Sequence, residues 1–377
     1  MPCLNEAETL AVCIRKARSA IAELGIEGEV IIADNGSTDG SQDIAATEGA
    51  HLVHVTGKGY GNALRGGIMA ARGRWIIMGD ADDSYDFSRI APFVEKLRAG
   101  TELVMGCRMP WGGGRIEEGA MPWKHRWIGN PVLTAIGKMF FRAAPNDFHC
   151  GLRGFSRDAF LRMELTTTGM EFASEMVIKA SIKGMSMDEV PVTLHKDGRS
   201  RPPHLRSWRD GWRHLRFMLL HCPRWLFLAP SLLLITIGLV GGVALSFGPV
   251  HIGSIGFDTN TLLVCSFMLT TGIQLAFFGV FARRFTEVEH LLPPSIWFVP
   301  FGHWLSIEHG IFGGLFLAFV GFAMLVGALL IWQASGFGGL SYPDSLRQVI
   351  PALTLMTAGV QIAFSSFFLG ILDLRRK

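Results

Sequence analysis

Trp75-Ile76-Ile77-Met78-Gly79 followed by Asp80-Ala81-Asp82 is an apolar run that ends in two carboxylates. A buried strand with this ending directs the side chains at i and i+2 to one side. Two hard oxygen donors at a strand's carboxyl end suit a divalent cation such as Mg²⁺ or Mn²⁺, and through it a diphosphate. A solvated acidic turn would read the same in isolation, so the pair is weighed with its surroundings. Val30–Ala33, Leu52–Val55, Trp75–Gly79 and Leu103–Gly106 read as strands. Glu8–Leu24, Asp39–Thr47, Asn62–Arg72 and Ser88–Arg98 read as the helices between them. This alternation predicts an α/β fold, a mostly parallel sheet with helices on both faces. Ligands of such sheets sit at the carboxyl ends of strands, where Asp34 and Asp80 both fall. Pro110–Trp127, rich in Gly and charge, reads as a mobile loop.

The second part of the chain has a different character. Four apolar stretches, Leu226–Phe247, Thr261–Ala282, Ile311–Trp332 and Ile350–Leu372, contain no Asp, Glu or Lys. Each is long enough to cross about 30 Å of hydrocarbon as a helix. Arg283 and Arg284 follow the second span, and Arg375, Arg376 and Lys377 follow the fourth. The intervening segments on the other side carry only Arg347. The positive-inside rule then places both termini and the N-terminal domain in the cytoplasm of a multi-pass inner-membrane protein. Between the two parts, Arg206, Arg209, Arg213 and Arg216 adjoin an arc of Leu205, Trp208, Trp212, Leu215 and Leu219. That pattern predicts a basic helix lying in the membrane interface, with Trp among headgroups and Arg on lipid phosphates. The expected organisation is a catalytic domain over 1–198, a juxtamembrane segment over 199–225 and a membrane region over 226–377. The net charge of +3 gives no reason to expect a nucleic-acid partner. The six cysteines form no metal-binding spacing and read as reduced and structural.

Pro2-Cys3-Leu4-Asn5-Glu6, Asp34-Asn35-Gly36-Ser37-Thr38-Asp39 and Asp80-Ala81-Asp82 follow one another at characteristic spacing. Together they resemble the family-2 glycosyltransferases of GT-A, Rossmann-like fold, over residues 1 to about 200. Gly57-Lys58-Gly59-Tyr60-Gly61-Asn62-Ala63, Gly106-Cys107-Arg108, His125–Asn130 and Asp147–Arg153 narrow the resemblance to the dolichol- and polyprenyl-phosphate mannose and glucose synthases. The resemblance implies transfer of a hexose from a GDP- or UDP-sugar to a polyprenyl phosphate, with Mg²⁺ or Mn²⁺.

Residue by residue, it implies that Pro2, Asn5, Glu6, Asp34 and Asp39 line the nucleoside pocket. Lys58 would meet a donor phosphate, on a glycine-rich run that lets backbone approach the donor. Asp82 would bind the metal, and Asp80 the metal or the ribose. The related mannose synthases often carry Gln at the position of Ser84. Arg108 and Arg126 match acceptor-phosphate positions, with Arg199 and Arg201 as further lipid-phosphate candidates. Arginine suits that role through paired, charge-assisted bonds. Asp147 and Arg153 are expected near the sugar, the latter with a structural ion pair as its alternative. Glu175 and Glu189 match family positions where structural roles are equally open.

A phosphate acceptor is already ionised near neutral pH. The expected reaction is therefore a single displacement with inversion, aided by positioning and charge. In the family an apolar strand directly precedes Pro-x-x-Asn-Glu, and this sequence opens at Met1-Pro2. The expectation is that this strand is missing, that its neighbours lose backbone partners, and that Met1 is an internal residue of a longer native protein. Two competing readings are a polysaccharide synthase and a transporter. The first usually has Gln-x-x-Arg-Trp, of which Arg224-Trp225 keeps only the end. The second normally places ionisable residues inside the membrane, and these spans have none.

Overall fold

The computed structural model describes residues 1–200, 207–288 and 307–373. They form two compact units, Met1–Met218 and Leu219–Lys377.

In the first unit, β1 (Pro2–Cys3), β2 (Ile31–Asp34) and β3 (His51–His54) pair in parallel, with α1 (Leu10–Glu23) and α2 (Ser41–Thr47) between them. After α3 (Tyr60–Ala70) come β4 (Trp75–Met78), α4 (Ala91–Arg98) and β5 (Leu103–Cys107). The two-residue β6 (Arg115–Ile116) and α5 (Asn130–Phe141) lead to β7 (Arg153–Ser156). Then follow α6 (Arg157–Met163), α7 (Phe172–Ile182), β8 (Met187–Pro191), β9 (Thr193–Leu194) and α8 (Ser207–Leu220). A second sheet runs β4-β7-β5-β8, in which β7 is antiparallel to both neighbours and β5 parallel to β8.

Side-chain alternation along these strands builds two apolar layers. Ile76 and Met78 of β4 and Leu103 and Met105 of β5 face Leu64, Ile68, Phe160, Phe172 and Met176 from α3, α6 and α7. Trp75, Ile77 and Val104 face Cys13, Ala17, Phe93 and Leu97 from α1 and α4. Helices thus cover both faces, as a mostly parallel sheet demands.

At the start of the chain β1 makes a short ladder on β2, Pro2 opposite Ala33 and Cys3 opposite Asp34. Among the described residues the β1-β2-β3 and β4-β7-β5-β8 sets are hydrogen-bonded separately. The stretch 110–127 is not featureless: it holds a 3₁₀ turn at Pro110–Gly112 and β6, which pairs in parallel with β9. All six cysteines are free and buried, and burial pushes the Cys107 and Cys150 thiols up to about 12.

Among the described residues, the second unit has four helices long and apolar enough to cross a membrane, at Arg224–Ser246, Thr259–Val288, Ile307–Ala334 and Tyr342–Leu372. We label these spans α9 to α12. A hairpin of Val250–Ile252 and Ile255–Phe257 joins the first two. Gly314 of α11 and Gly359 of α12 meet backbone to backbone, so a Cβ at either would strike the opposite helix. Small residues allow this approach where lipid provides no hydrophobic drive for association. Arg347, in the first turns of α12, pairs with Asp258 just before α10, so this basic residue is partly neutralised.

Candidate active site

The carboxyl ends of β2, β4 and β5 present the polar residues of the site. Asp34 closes β2 and is buried. Its carboxylate accepts from Gly36 N at 3.1 Å, Ser37 N at 3.1 Å and Gln42 Nε2 at 2.8 Å. Burial pushes its pKa up, and these hydrogen bonds outweigh burial and hold it below the usual carboxylate range.

The loops after β1 and β2 are stitched together. Asn5 N donates to Ser37 Oγ at 2.9 Å, Thr38 N to Asn5 Oδ1 at 2.8 Å, and Ala7 N to Asp39 Oδ2 at 2.9 Å. The other Asp39 oxygen accepts from Ser41 N and Oγ. Asp39 therefore shapes the pocket wall rather than offering a vacant acceptor. Pro2 lies on β1 at the head of the same loop. Lys58 Nζ donates to Asn35 O at 2.7 Å, which brings the glycine-rich run beside this loop. Gly59, at φ 123°, and Gly61 are pressed against the backbone of Thr167 and Thr168. These glycines allow the start of α3 to pack closely on that backbone.

Asp80 lies just past β4. Tyr60 Oη donates to its Oδ1 at 2.9 Å. Burial first, and the neighbouring Asp82 second, push its pKa up to about 6. Asp82 Oδ1 accepts from Ser84 N at 3.1 Å and Ser84 Oγ at 2.5 Å. Ser84 thus orients Asp82. Asp82 Oδ2 accepts from Arg199 Nη2 at 3.0 Å, and Arg199 Nη1 reaches Glu6 Oε1 at 3.2 Å. Arg199 was expected at a lipid phosphate; here its guanidinium lies among carboxylates. Arg201 lies outside the described residues.

Beyond β5, Arg108 is buried and grips Asp147 with a fork, Nε to Oδ2 at 2.7 Å and Nη2 to Oδ1 at 2.8 Å. Its Nη1 donates to Tyr85 Oη at 3.3 Å, and Gly151 N donates to the same oxygen at 2.9 Å. Asp147 is held below the usual range: burial would raise it, and Arg108 outweighs that. Arg153 is fully buried and donates to the carbonyls of Cys150, Phe148 and Ala173. It props the 147–153 segment from beneath, which corrects its expected place beside the sugar and replaces the alternative of an ion pair. Glu189 accepts from Asn146 N and Asp147 N, and Glu175 from Thr166 N and Thr167 N, so both are structural.

Arg126 lies in a π-helical turn at His125–Gly129 ahead of α5. Its guanidinium sits 5.3 Å from the Trp127 ring, and its buried Nε has no hydrogen-bond partner. Trp123, Trp127, Ile128, Val132 and Met139 are exposed along this turn and helix.

Sequence reasoning missed Tyr60 and Tyr85, two of only three tyrosines in the chain, and that scarcity was a usable signal. It also missed a link to α8. Ser174 Oγ and His214 Nδ1 are 2.7 Å apart, and the His214 ring lies 4.8 Å from that of His149. On α8, His214, Phe217 and Met218 are buried in the unit, while Trp212 and Leu220 are exposed beside Arg209 and Arg216. Of the apolar arc expected at the membrane interface, Trp212 is exposed and Leu215 and Leu219 are half-buried, while Leu205, the Trp208 side chain and Arg206 lie outside the described residues.

Residues 1–163 match the glycosyl transferase family 2 model, and residues 280–373 match the glycosyltransferase family 2 C-terminal transmembrane region. The chain is 38% identical over 377 residues to the low-salt glycan biosynthesis hexosyltransferase Agl6 of Haloferax volcanii, covering 99% of this chain and 88% of the relative. The chain belongs to glycosyltransferase family 2. It is a membrane glycosyltransferase with a multi-pass C-terminal region. A second family relative, the dolichyl-phosphate hexose transferase of Haloferax volcanii, is 28% identical over 167 residues, 44% of this chain and 68% of the relative. Among solved structures, glucosyl-3-phosphoglycerate synthase from Mycobacterium tuberculosis overlays with a TM-score of 0.45 at 20% identity, over 59% of this chain and 77% of that one.

Proposed function

We propose that the enzyme moves a hexose from a GDP- or UDP-sugar to a polyprenyl phosphate of the dolichyl or undecaprenyl type. The observation that carries this reading is Arg126. A buried guanidinium nitrogen without a partner stands in a turn whose neighbours Trp123, Trp127, Ile128 and Val132 are exposed. A cation set in an exposed apolar helical face fits an amphiphile with an anionic head. A glycan hydroxyl has neither the charge nor the tail. The name of the dolichyl-phosphate relative and the membrane region support the same acceptor.

In this reading Pro2, Asn5, Glu6, Asp34, Asp39 and Lys58 frame the nucleoside side of the donor. Asp80 and Asp82 face its diphosphate. Their chemistry fits a divalent cation, because the repulsion and burial that push Asp80 up to about 6 are relieved by one. Among the described residues no group of three or more His, Cys, Asp and Glu side chains is placed to hold a metal. Asp80 and Asp82 would supply the protein ligands, and diphosphate and water the rest, as Mg²⁺ prefers. When bound, Mg²⁺ or Mn²⁺ stabilises the leaving diphosphate as a Lewis acid.

The acceptor phosphate needs no general base, since its oxygen is ionised. Arg126 binds that phosphate, while Arg108, neutralised by Asp147, fixes the 147–153 wall and its field. Arg126 supplies the charge that lets the anionic acceptor approach the anionic donor. The anomeric carbon is attacked once, with inversion. Arg283 and Arg284, at the opposite ends of the spans from Arg347, favour a cytoplasmic active site.

The test incubates membranes containing the full chain with a panel of nucleotide-sugars, undecaprenyl or dolichyl phosphate, and Mg²⁺ or Mn²⁺. Mass spectrometry should find a monoglycosylated lipid phosphate of inverted anomeric configuration. That product should disappear with Asp82→Ala and fall with Arg126→Ala. Extension of a glycan with no lipid-phosphate product would overturn the acceptor assignment.

A further inference from the structure

Arg199 is held unlike any other arginine of the site. Its Nη2 is 3.0 Å from Asp82 Oδ2 and 3.0 Å from Asp197 Oδ2, and its Nη1 is 3.2 Å from Glu6 Oε1. These are single-point bonds to three carboxylates, without the fork that makes an arginine–carboxylate pair strong. The side chain is only 10% exposed, and its buried Nε has no hydrogen-bond partner. A buried donor left unmade is costly, so this seat does not satisfy the guanidinium fully.

The segment that delivers it is a strap laid along the aspartates. Leu194 bridges Tyr85, His195 N donates to Ser84 O at 2.9 Å, and Gly198 N donates to Asp82 O at 3.0 Å. Ser200 N and Oγ then bond Glu8.

We propose that Arg199 is an exchangeable cation. It competes with the divalent cation for Asp82 Oδ2, so that metal loading withdraws it from Asp82 and Glu6 and loosens the strap at 195–200. This rests on the metal reading above. Asp82 Oδ1 is already taken by both donors of Ser84, which leaves Oδ2 as the oxygen both cations seek. A guanidinium and a divalent cation on one carboxylate oxygen repel strongly in a buried site. The carboxylates that hold Arg199 also lose their negative field once a metal neutralises them. Metal occupancy is thereby coupled to the position of a chain segment over the donor site.

The test is Mn²⁺ titration of the detergent-solubilised full chain without nucleotide, read by electron paramagnetic resonance. Arg199→Ala should bind Mn²⁺ about tenfold tighter than wild type, the scale of removing one charge-assisted competitor. Arg199→Lys keeps the competing charge and should stay near wild type. In wild type, Mn²⁺ should raise amide hydrogen exchange in the peptide spanning 195–200, and Mg²⁺ should do the same. Equal Mn²⁺ affinity in wild type and Arg199→Ala, with Asp82→Ala abolishing binding, would overturn the exchange and leave the metal reading standing. Binding that Asp82→Ala does not weaken would overturn both. Unchanged exchange at 195–200 on Mn²⁺ saturation would overturn the coupling to the strap.

Discussion

Asp147 and Arg108 meet as a fork, two parallel bonds in the interior, with Glu189 and Tyr85 fixing the flanks. Asp82 and Arg199 meet through one nitrogen that Asp197 also uses. The first pair sits on a segment that Arg153 props from below through three carbonyls. The second sits where two loops cross. The same residue types thus make a wall in one place and a replaceable contact in the other. Ion-pair identity does not distinguish framework from function; geometry and the number of shared partners do. The carboxylates differ in sign as well. Asp147 is held low by Arg108, and Asp80, beside Asp82, is pushed up to about 6.

The contrast predicts opposite consequences for breaking each region. Asp147→Ala leaves the Arg108 charge buried and unpaired, which should cost about 3–5 kcal/mol of stability. Thermal or denaturant unfolding should show that loss, with activity falling alongside it. Since Asp147 titrates below its ordinary value of 3.8, its contribution is complete above that pH and is lost as pH falls further. Asp82→Ala should do the reverse. Activity should drop about 10²–10³-fold, the scale of losing one preorganised electrostatic group, with the unfolding midpoint near that of wild type. Equal stability losses in the two variants would erase the distinction between wall and contact.

Much of this was legible in the sequence. The strands Trp75–Met78 and Leu103–Cys107 are apolar runs that declare themselves, and Asp80-Ala81-Asp82 stands just past the carboxyl end of the first. β7 and β8 were not legible. Arg153-Gly154-Phe155-Ser156 and Met187–Pro191 carry charge or glycine where a buried strand is expected to be apolar, because Arg153 finds carbonyls only in the folded chain. Arg199 was misplaced for a related reason. Two of its three carboxylate partners, Asp82 and Glu6, lie 117 and 193 residues away in sequence, beyond any local pattern. Arg108 and Asp147 both carried expected roles, yet nothing in the spacing said that they neutralise one another.

The pH response sharpens the contrast further. In the proposed cation site Asp80 would have to be ionised, so Mn²⁺ affinity should be flat at pH 8 and fall about tenfold per unit below about 6. For folding the sign reverses relative to Asp147. A raised carboxyl pKa favours the protonated folded state, so this group's contribution is present below 3.8 and lost as pH rises through about 6. A Mn²⁺ affinity independent of pH between 5 and 7 would show that Asp80 is not part of the cation site.

Tyr60 gives the smallest of these effects and the most local one. Its hydroxyl donates to Asp80 Oδ1 at 2.9 Å and favours the ionised carboxylate against burial and against Asp82. Tyr60→Phe keeps the ring, which packs on the apolar layer of α3, α6 and α7, and removes only that donor. A hydrogen bond to a charged group is worth about 1.5–3 kcal/mol, so the Asp80 pKa should rise by about one unit or more. Mn²⁺ binding near pH 6 should weaken about tenfold, while binding at pH 8 should change little, because Asp80 is ionised there in both proteins. The pair of measurements separates a proton effect from a damaged site, since damage would weaken binding equally at both pH values. Asp147 and Arg108 make no hydrogen bond to Tyr60 or Asp80, so the wall is untouched and the loss of stability at pH 8 should stay within the about 1.5–3 kcal/mol of the one bond removed.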